Sequence, residues 1–320
     1  MRILILGAAG QVGFELCRSL AGAGQIFAAD RVVDASLGVN LAIDIGDLPR
    51  LREQILELAP QVIVNAAAYT AVDQAEDEPE LADRINHQAL IILGAVALEL
   101  GALLVHYSTD YVFGGDGLAP YLEDQPATPQ SVYGSSKLAG EQALAASGCA
   151  YVLLRTAWVY AARGRNFLLT MLRVAALRDE LSVVDDQLGC PTTARFLADS
   201  TATMVRRWLD ASFSDRSNLH GAVHVVCDGQ VSWCGFAREI IAQAFDLGLL
   251  PKLTPVRAIS SGEYPAKAKR PAYSVLDTQR LRSRFSITPP LWTEGVKHTL
   301  LELAQARQSL LSVGFEVNRC

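Results

Sequence analysis

The sequence predicts an α/β protein: a doubly wound parallel sheet with a smaller α/β lobe appended. Three observations carry that expectation. Up to Arg155, short apolar runs alternate with stretches of helical spacing. The runs are apolar throughout, as strands buried on both faces must be. The first of them, Ile3-Leu4-Ile5-Leu6, leads directly into the glycine turn Gly7-Ala8-Ala9-Gly10-Gln11-Val12-Gly13.

The elements follow in order. Ile3–Leu6 is the first strand, and Gln11 to Leu20 is helical through Val12, Leu16 and Leu20. Gln25–Ala29 is a strand ending at Asp30. Leu48 to Leu58 is a helix closed by Pro60, and Val62–Val64 is a strand. Leu81 to Leu100 reads as one long helix stopped by Gly101. Ala102–Tyr107 is a strand, Lys137–Ala146 lies in a helix, and Tyr151–Leu154 is a strand again. Beyond Arg155 the rhythm weakens. Helices are expected at Phe167–Leu177, Ala194–Leu209, Ser232–Ala244 (N-capped by Ser232) and Thr293–Ala306. Strands are expected at Leu181–Val184 and Ala222–Val226, and Pro251–Pro271 reads as loop. The expected division is a dinucleotide-binding domain over 1–160, rejoined by segments near 185–228, and a substrate-binding lobe mainly over 161–320.

Composition narrows the class. Of 320 residues half are hydrophobic and 19% charged, which suits a large core and opposes disorder. A net charge of −6 opposes non-specific nucleic-acid binding. The longest apolar stretch, Ala89–Leu98, is too short to span a membrane. Cys17, Cys149, Cys190, Cys227, Cys234 and Cys320 form no C-x-x-C pair, so no metal site is expected, and reduced thiols fit a cytoplasmic protein. The chain opens on the first strand with no leader-like segment.

The glycine turn is placed to bind a dinucleotide. Gly7 permits a tight turn, Gly10 lets backbone approach a pyrophosphate, and Gly13 lets helix pack on strand. The N–H groups that open the next helix then face the anion. Asp30 ends the second strand, where a carboxylate accepts from ribose hydroxyls. Arg31 follows and favours a 2′-phosphate instead, so NADPH and NADH both stay open. Asp44 is a candidate for the adenine.

A second motif supplies chemistry. Tyr133 and Lys137 are four apart, hence on one helix face. A nearby ammonium favours phenolate, so Lys137 is expected to depress the Tyr133 pKa and make the tyrosine a proton donor. Thr109, after an apolar strand, is placed to donate to a carbonyl oxygen as charge develops there. Glycine turn and Y-x-x-x-K together describe hydride transfer between a nicotinamide and a carbonyl.

These residues resemble an extended short-chain dehydrogenase/reductase, and more narrowly the dTDP-4-dehydrorhamnose reductase family. The similarity lies in Asn65-Ala66-Ala67-Ala68-Tyr69-Thr70-Ala71-Val72-Asp73 and His106-Tyr107-Ser108-Thr109-Asp110-Tyr111-Val112-Phe113. It continues through Val132-Tyr133-Gly134 to Lys137-Leu138, Gly140-Glu141, Arg155 to Tyr160, Asn166-Phe167, Asp186 to Thr192 and Lys269-Arg270-Pro271. The resemblance implies a Rossmann-type sheet and reduction of the C4 ketone of dTDP-4-dehydro-L-rhamnose by NADPH or NADH, the last step of dTDP-L-rhamnose synthesis. It implies that Gly10, Gln11 and Val12 hold the pyrophosphate, and that Asp30, Asp44 and Ile45 serve the adenosine end. Ala68, Tyr69, Thr70 and Tyr107 then line the cofactor cleft. Thr109, Asp110 and Trp158 meet the sugar nucleotide, with Tyr133 and Lys137 catalytic. Trp158 reads equally as a core aromatic, and Arg270 as a diphosphate clamp or a surface cation. Some relatives form a Mg²⁺-bridged dimer through glutamates. Glu15 is present, but Arg195 stands at another ligand position and cannot ligate Mg²⁺. A homodimer fits the resemblance, but not one bridged by Mg²⁺.

Two other readings compete. A sugar-nucleotide epimerase or dehydratase would share the superfamily, but a dehydratase carries an acidic pair after the threonine, and Thr109-Asp110-Tyr111 offers one acid. A non-catalytic nucleotide-binding regulatory subunit would not need the intact Tyr133 and Lys137.

Overall fold

The computed structural model describes residues 1–212 and 214–317, with side chains through residue 309; Cys320 lies outside the described residues. Seven strands make one sheet: β1 (Arg2–Leu6), β2 (Gln25–Asp30), β3 (Leu41–Ala42), β4 (Val62–Asn65), β5 (Leu103–Thr109), β6 (Ala150–Thr156) and β7 (Gly221–His224). Their order is β7-β6-β5-β4-β1-β2-β3, and every pairing is parallel. Ile3, Leu4, Ile5 and Leu6 are completely buried, so β1 belongs in mid-sheet. Strand order reverses between β1 and β4, which opens a crevice at their carboxyl ends.

Eight longer helices accompany the sheet: α1 (Gln11–Ser19), α2 (Leu48–Leu58), α3 (Ala89–Leu100), α4 (Val132–Ala146), α5 (Phe167–Leu177), α6 (Ala194–Asp210), α7 (Trp233–Asp246) and α8 (Trp292–Val317). One face is covered by α1 and α6, where Leu16 meets Leu197, Ala198 and Val205 over Ile3, Ile5 and Val64. The other is covered by α2, α3 and α4, through Leu51, Ile55, Leu93 and Leu144 over Leu4 and Leu104. A separate core forms among α5, α7 and α8 around Tyr160, Leu168, Phe236 and Leu300. Chain from the second half thus serves both cores: β7 pairs with β6, and Leu281 and Phe285 also pack into the first. Among the described residues Cys17, Cys149, Cys190, Cys227 and Cys234 are free thiols. No helix among them is long and apolar enough to cross a membrane.

The edge strand Leu41–Ala42 and a helix at Gln279–Phe285 have no counterpart in the sequence reading, and two further segments differ from it. Leu81 to Leu100 is not one uniform helix. A short helix at Pro79–Asp83 passes into a wide π-type turn, Arg84–Gln88, before α3 begins. The cause is buried Asn86, whose amide accepts from the Tyr69 N–H (2.9 Å) and donates to the Tyr69 carbonyl (3.1 Å) and the Ser136 hydroxyl (3.0 Å). Such turns recur at functional sites. The Pro251–Pro271 stretch, read as loop, contains the strand Val256–Ile259, parallel to Leu181–Val184. Two of its four residues are exposed, so no apolar run marks it. Ser232 caps α7 as expected, accepting from the Gly235 N–H at 2.9 Å.

Candidate active site

The glycine turn ends β1 and opens α1. Gly7 has φ +79°, and a Cβ there would lie 2.7 Å from the Ala67 nitrogen. A Cβ at Gly13 would lie 2.0 Å from the Gly7 carbonyl oxygen. Both positions are closed to any other residue. Gly10 differs: within 4 Å its Cβ would meet only the Gly7 oxygen, at 3.1 Å. Open space therefore lies over the Gly10 backbone, beside the N–H groups that the first turn of α1 leaves without intrahelical partners. A pyrophosphate fits there.

Asp30, at the end of β2, is tied to this turn. Its carboxylate accepts from the Ala9 N–H (3.0 Å) and the Arg31 N–H (2.8 Å). Asp44 is exposed and accepts from the Gly46 N–H (2.8 Å), while Ile45 is buried behind it. Past β4, Ala68 is half-buried, Tyr69 buried and Thr70 exposed. The Tyr69 hydroxyl donates to Glu78 (2.8 Å). Tyr107 turns toward α6, where its hydroxyl shares a hydrogen bond with Thr201 at 2.6 Å.

Thr109 closes β5, and two glycines bring α4 against it. A Cβ at Gly134 would lie 2.3 Å from the Tyr111 carbonyl oxygen, and one at Gly140 2.1 Å from that of Asn86. Ser131 caps the helix, accepting from the Gly134 N–H (3.1 Å). Bidentate bonds from buried Arg155 on β6 to Glu141 (3.0 and 2.6 Å) hold the next turn. The Tyr133 ring then packs edge-on against Tyr111, and its hydroxyl comes near the Thr109 side chain. Thr109 Oγ1 also donates to Asp110 Oδ1 (3.1 Å).

The electrostatics correct the sequence reading. Lys137 was expected to depress the Tyr133 pKa; instead that hydroxyl is pushed up to about 12. Burial is the main cause and the Asp110 charge adds to it, while the Thr109 hydrogen bond opposes both. The Lys137 nitrogen is directed elsewhere: it donates to the Tyr107 carbonyl (2.6 Å) and lies 3.0 Å from His106 Nε2. Burial also brings Lys137 itself down to about 8, against the pull of Glu141.

Asp110 is 2% exposed, and burial raises its pKa to about 6. Its Oδ2, Ser108 Oγ, Thr156 Oγ1 and Arg270 Nη1 are buried without a partner among the described residues. Each such atom costs about 1–3 kcal/mol unless a ligand satisfies it. Arg270 is half-buried, its Nη2 donating to Asp73 (2.7 Å), which decides against a free surface cation. Trp158 adopts φ +47° and stacks on Trp233 at 3.5 Å and 8°. A Cβ at Gly189 would lie 2.5 Å from the Trp158 ring. Trp158 is thus half-buried, with one ring face covered by aromatic packing.

Glu15 is 5% exposed and accepts from Arg18 Nε (3.1 Å) and Arg195 Nε (3.4 Å); Arg195 Nη2 donates to Glu302 (2.9 Å). Two guanidinium groups therefore occupy the carboxylate that a Mg²⁺ bridge would need. Sequence reasoning assigned no role to Asn65, Asn86 or His106. Asn65 and His106 lie in the motif strings and Asn86 lies outside them, and the side chains of all three bond partners remote in sequence.

Fold and site together define a doubly wound dinucleotide-binding protein of the extended short-chain dehydrogenase/reductase type. The comparisons narrow this further. A family model described as the RmlD substrate binding domain matches residues 1–305. The dTDP-4-dehydrorhamnose reductase of Burkholderia thailandensis is 45% identical over 305 residues, spanning 92% of this chain and 97% of that protein. That of Salmonella typhimurium is 42% identical over 303 residues, spanning 95% and 98%. The solved structure of the Bacillus anthracis dTDP-4-dehydrorhamnose reductase in complex with NADP superimposes with a TM-score of 0.81 at 34% identity, covering 94% of this chain and 99% of that one. The chain belongs to the dTDP-4-dehydrorhamnose reductase family.

Proposed function

We propose that this protein reduces the C4 ketone of dTDP-4-dehydro-L-rhamnose to dTDP-L-rhamnose in the cytoplasm, the last step of dTDP-rhamnose biosynthesis. The observation that carries this reading is that α4 brings Tyr133 beside Thr109 at the carboxyl edge of a parallel sheet, one helical turn from buried Lys137. NADPH or NADH, when bound, supplies the hydride. The family membership and the NADP-bound relative support that cofactor class. Gly7, Gly10, Gln11, Val12 and Gly13 cradle the pyrophosphate. Asp30, Asp44 and Ile45 take the adenosine end, and Ala68, Tyr69, Thr70 and Tyr107 form the cleft beside it.

Tyr133 delivers its proton to the carbonyl oxygen as negative charge develops there. Thr109 donates to the same oxygen and positions the Tyr133 hydroxyl. Lys137 supplies positive charge beneath the site. The unpartnered atoms of Asp110 and Arg270 hydrogen-bond the sugar and the diphosphate, and the free edge of Trp158 borders the sugar. Residues 1–160, with the returning β7, form the dinucleotide half, and the α5–α7–α8 core the substrate half. Any dimer assembles without a Mg²⁺ bridge, as the Glu15–Arg195 pairing supports.

The test is NADPH or NADH oxidation by the purified chain with dTDP-4-dehydro-L-rhamnose and no partner protein. Stoichiometric dTDP-L-rhamnose is expected. Cofactor binding without turnover would favour a regulatory subunit.

A further inference from the structure

A basic strap, Lys267 to Pro271, runs between the chain that leaves β5 and the chain that leaves β4, and it is held at both. On the β5 side Pro271 lies against Gly115, which has φ +84° and whose Cβ, if it had one, would lie 2.5 Å from the Pro271 Cα. Just beyond the strap, the Tyr273 N–H donates to the Gly115 carbonyl at 3.1 Å. On the β4 side the hold is Asp73, in the short helix Val72–Ala75. Its Oδ1 accepts from the Ala268 N–H at 3.0 Å and its Oδ2 from Arg270 Nη2 at 2.7 Å, across 195 and 197 positions of sequence. Lys267 adds an ion pair with Asp77, but both of those side chains are more than half exposed and solvent screens the pair. Asp73 is therefore the main hold on this side. Ala268 is buried beneath it, whereas Lys267 and Lys269 face solvent.

The Asp73 bonds fix the guanidinium without filling it. Arginine presents its N–H donors in a rigid plane and can offer a carboxylate two of them in parallel. Here the Ala268 N–H takes Oδ1, so Asp73 grips Nη2 with the other oxygen. Nη1 is left buried and without a partner among the described residues. Burial pushes the Asp73 carboxyl up, but the Ala268 N–H and the Arg270 guanidinium outweigh it and hold the group below the usual carboxylate range. The pair is thus ionic at neutral pH. The same guanidinium comes near the Tyr111 hydroxyl, and the Tyr111 ring packs edge-on against Tyr133. The strap thereby brings a fixed cation to the side of the site where Tyr133 stands. An anion that binds at Nη1 need not order a long free side chain, which is the gain of preorganisation.

We propose that Asp73 is a positioning residue for the sugar nucleotide: it pins the strap at Ala268 and Arg270 and holds Nη1 of Arg270 free for a diphosphate oxygen. The proposal deepens the reductase reading above and rests on it. Asp73 follows closely on Ala68, Tyr69 and Thr70, the residues given to the cofactor cleft, so a role in binding the cofactor is the competing account.

The experiment is calorimetry of the full-length protein with dTDP and, separately, with NADPH. Asparagine at 73 has one oxygen for two donors and sets its NH₂ against the second. Asp73→Asn is expected to bind dTDP about tenfold more weakly or worse, and NADPH as wild type does. KM for dTDP-4-dehydro-L-rhamnose should rise with it at nearly unchanged kcat. Asp73→Glu keeps both acceptors and should recover part of the loss. In an Arg270→Gln background the Asp73→Asn change should add nothing, because the group it positions is gone. Unchanged dTDP affinity, an equal loss for NADPH, or losses that simply add in the double variant would overturn the proposal. Tighter dTDP binding would also overturn it, by showing that Asp73 competes with the diphosphate. Guanidinium NMR on the wild-type protein stands even if the variants do not fold: on adding dTDP the Nη1 hydrogens should shift while Nη2 stays on Asp73, and release of Nη2 instead would count against the assignment. Asp73-dependent dTDP binding in a chain without turnover would refute the reductase reading alone. Turnover with a dTDP affinity indifferent to Asp73 would refute this one.

Discussion

Tyr133→Phe keeps the aromatic ring and deletes one oxygen. The ring packs edge-on against Tyr111, with centroids 5.8 Å apart and planes at 75°, and phenylalanine preserves that contact. The deleted hydroxyl faces Thr109, and its loss costs the fold at most about 0.5–1.5 kcal/mol. Thr109 Oγ1 retains the Tyr111 N–H at 3.2 Å and Asp110 at 3.1 Å, so no buried hydroxyl is orphaned. Melting should shift by at most a few degrees, at about 2–4 °C per kcal/mol. The chemical loss is larger. General acid catalysis contributes roughly 10²–10⁴-fold, equivalent to about 3–5 kcal/mol of barrier. The assays are NADPH absorbance during turnover, thermal unfolding, and calorimetry of cofactor binding. The expected variant is folded, binds cofactor nearly as wild type, and has kcat reduced at least a hundredfold. Retention of more than half the wild-type kcat would refute Tyr133 as proton donor.

The remaining predictions probe the loop, the buried acid and the assembly. Gly10→Val should fold yet bind NADPH far more weakly, because its side chain enters the space left for the pyrophosphate; unchanged calorimetric affinity in a folded variant would contradict this. Gly13→Ala should instead disrupt the turn itself, its Cβ lying 2.0 Å from the Gly7 carbonyl oxygen, and native-like melting would count against that packing. Asp110 has a folded pKa of about 6, above the 3.8 of a free aspartate, so its contribution to stability is full below about pH 4 and lost as pH rises through 6. The stability of Asp110→Asn relative to wild type should therefore improve from pH 4 to pH 7 by up to roughly 3 kcal/mol, and a flat difference in denaturant titrations would show that the carboxylate is not desolvated. EDTA should leave the sedimentation behaviour unchanged, since Arg18 and Arg195 already occupy Glu15; a dimer that dissociates on chelation and returns with Mg²⁺ would refute this.

Much of the protein was legible because the signals are local. The apolar run at Ile3–Leu6 and the turn behind it specify a buried strand feeding a helix, whatever surrounds them. Gly7 must take positive φ and Gly13 must lack a Cβ within a few residues of chain, so spacing alone announced them. Tyr133 and Lys137 share α4 for the same reason, four residues being one helical turn. The strand Val256–Ile259 escaped because its exposed residues erase the pattern and its partner lies some 75 residues earlier. Asn86 escaped because its three bonds run to Tyr69 and Ser136, and nothing local distinguishes an asparagine facing inward from one facing water.

What the sequence determined alone was therefore most of the order of elements, the glycine turn and the one-turn spacing of Tyr133 and Lys137. The tertiary structure decided how those residues are tuned. Spacing puts Lys137 near Tyr133, but burial and the directions of neighbouring dipoles send the ammonium toward the Tyr107 carbonyl and raise the tyrosine's proton affinity. The aromatic at 158 became a stacked partner of Trp233, and the arginine at 270 a partner of Asp73, only when loops remote in sequence closed over them. Periodicity and turn chemistry act within a few residues, whereas desolvation and hydrogen-bond direction depend on every chain segment that reaches the same point in space.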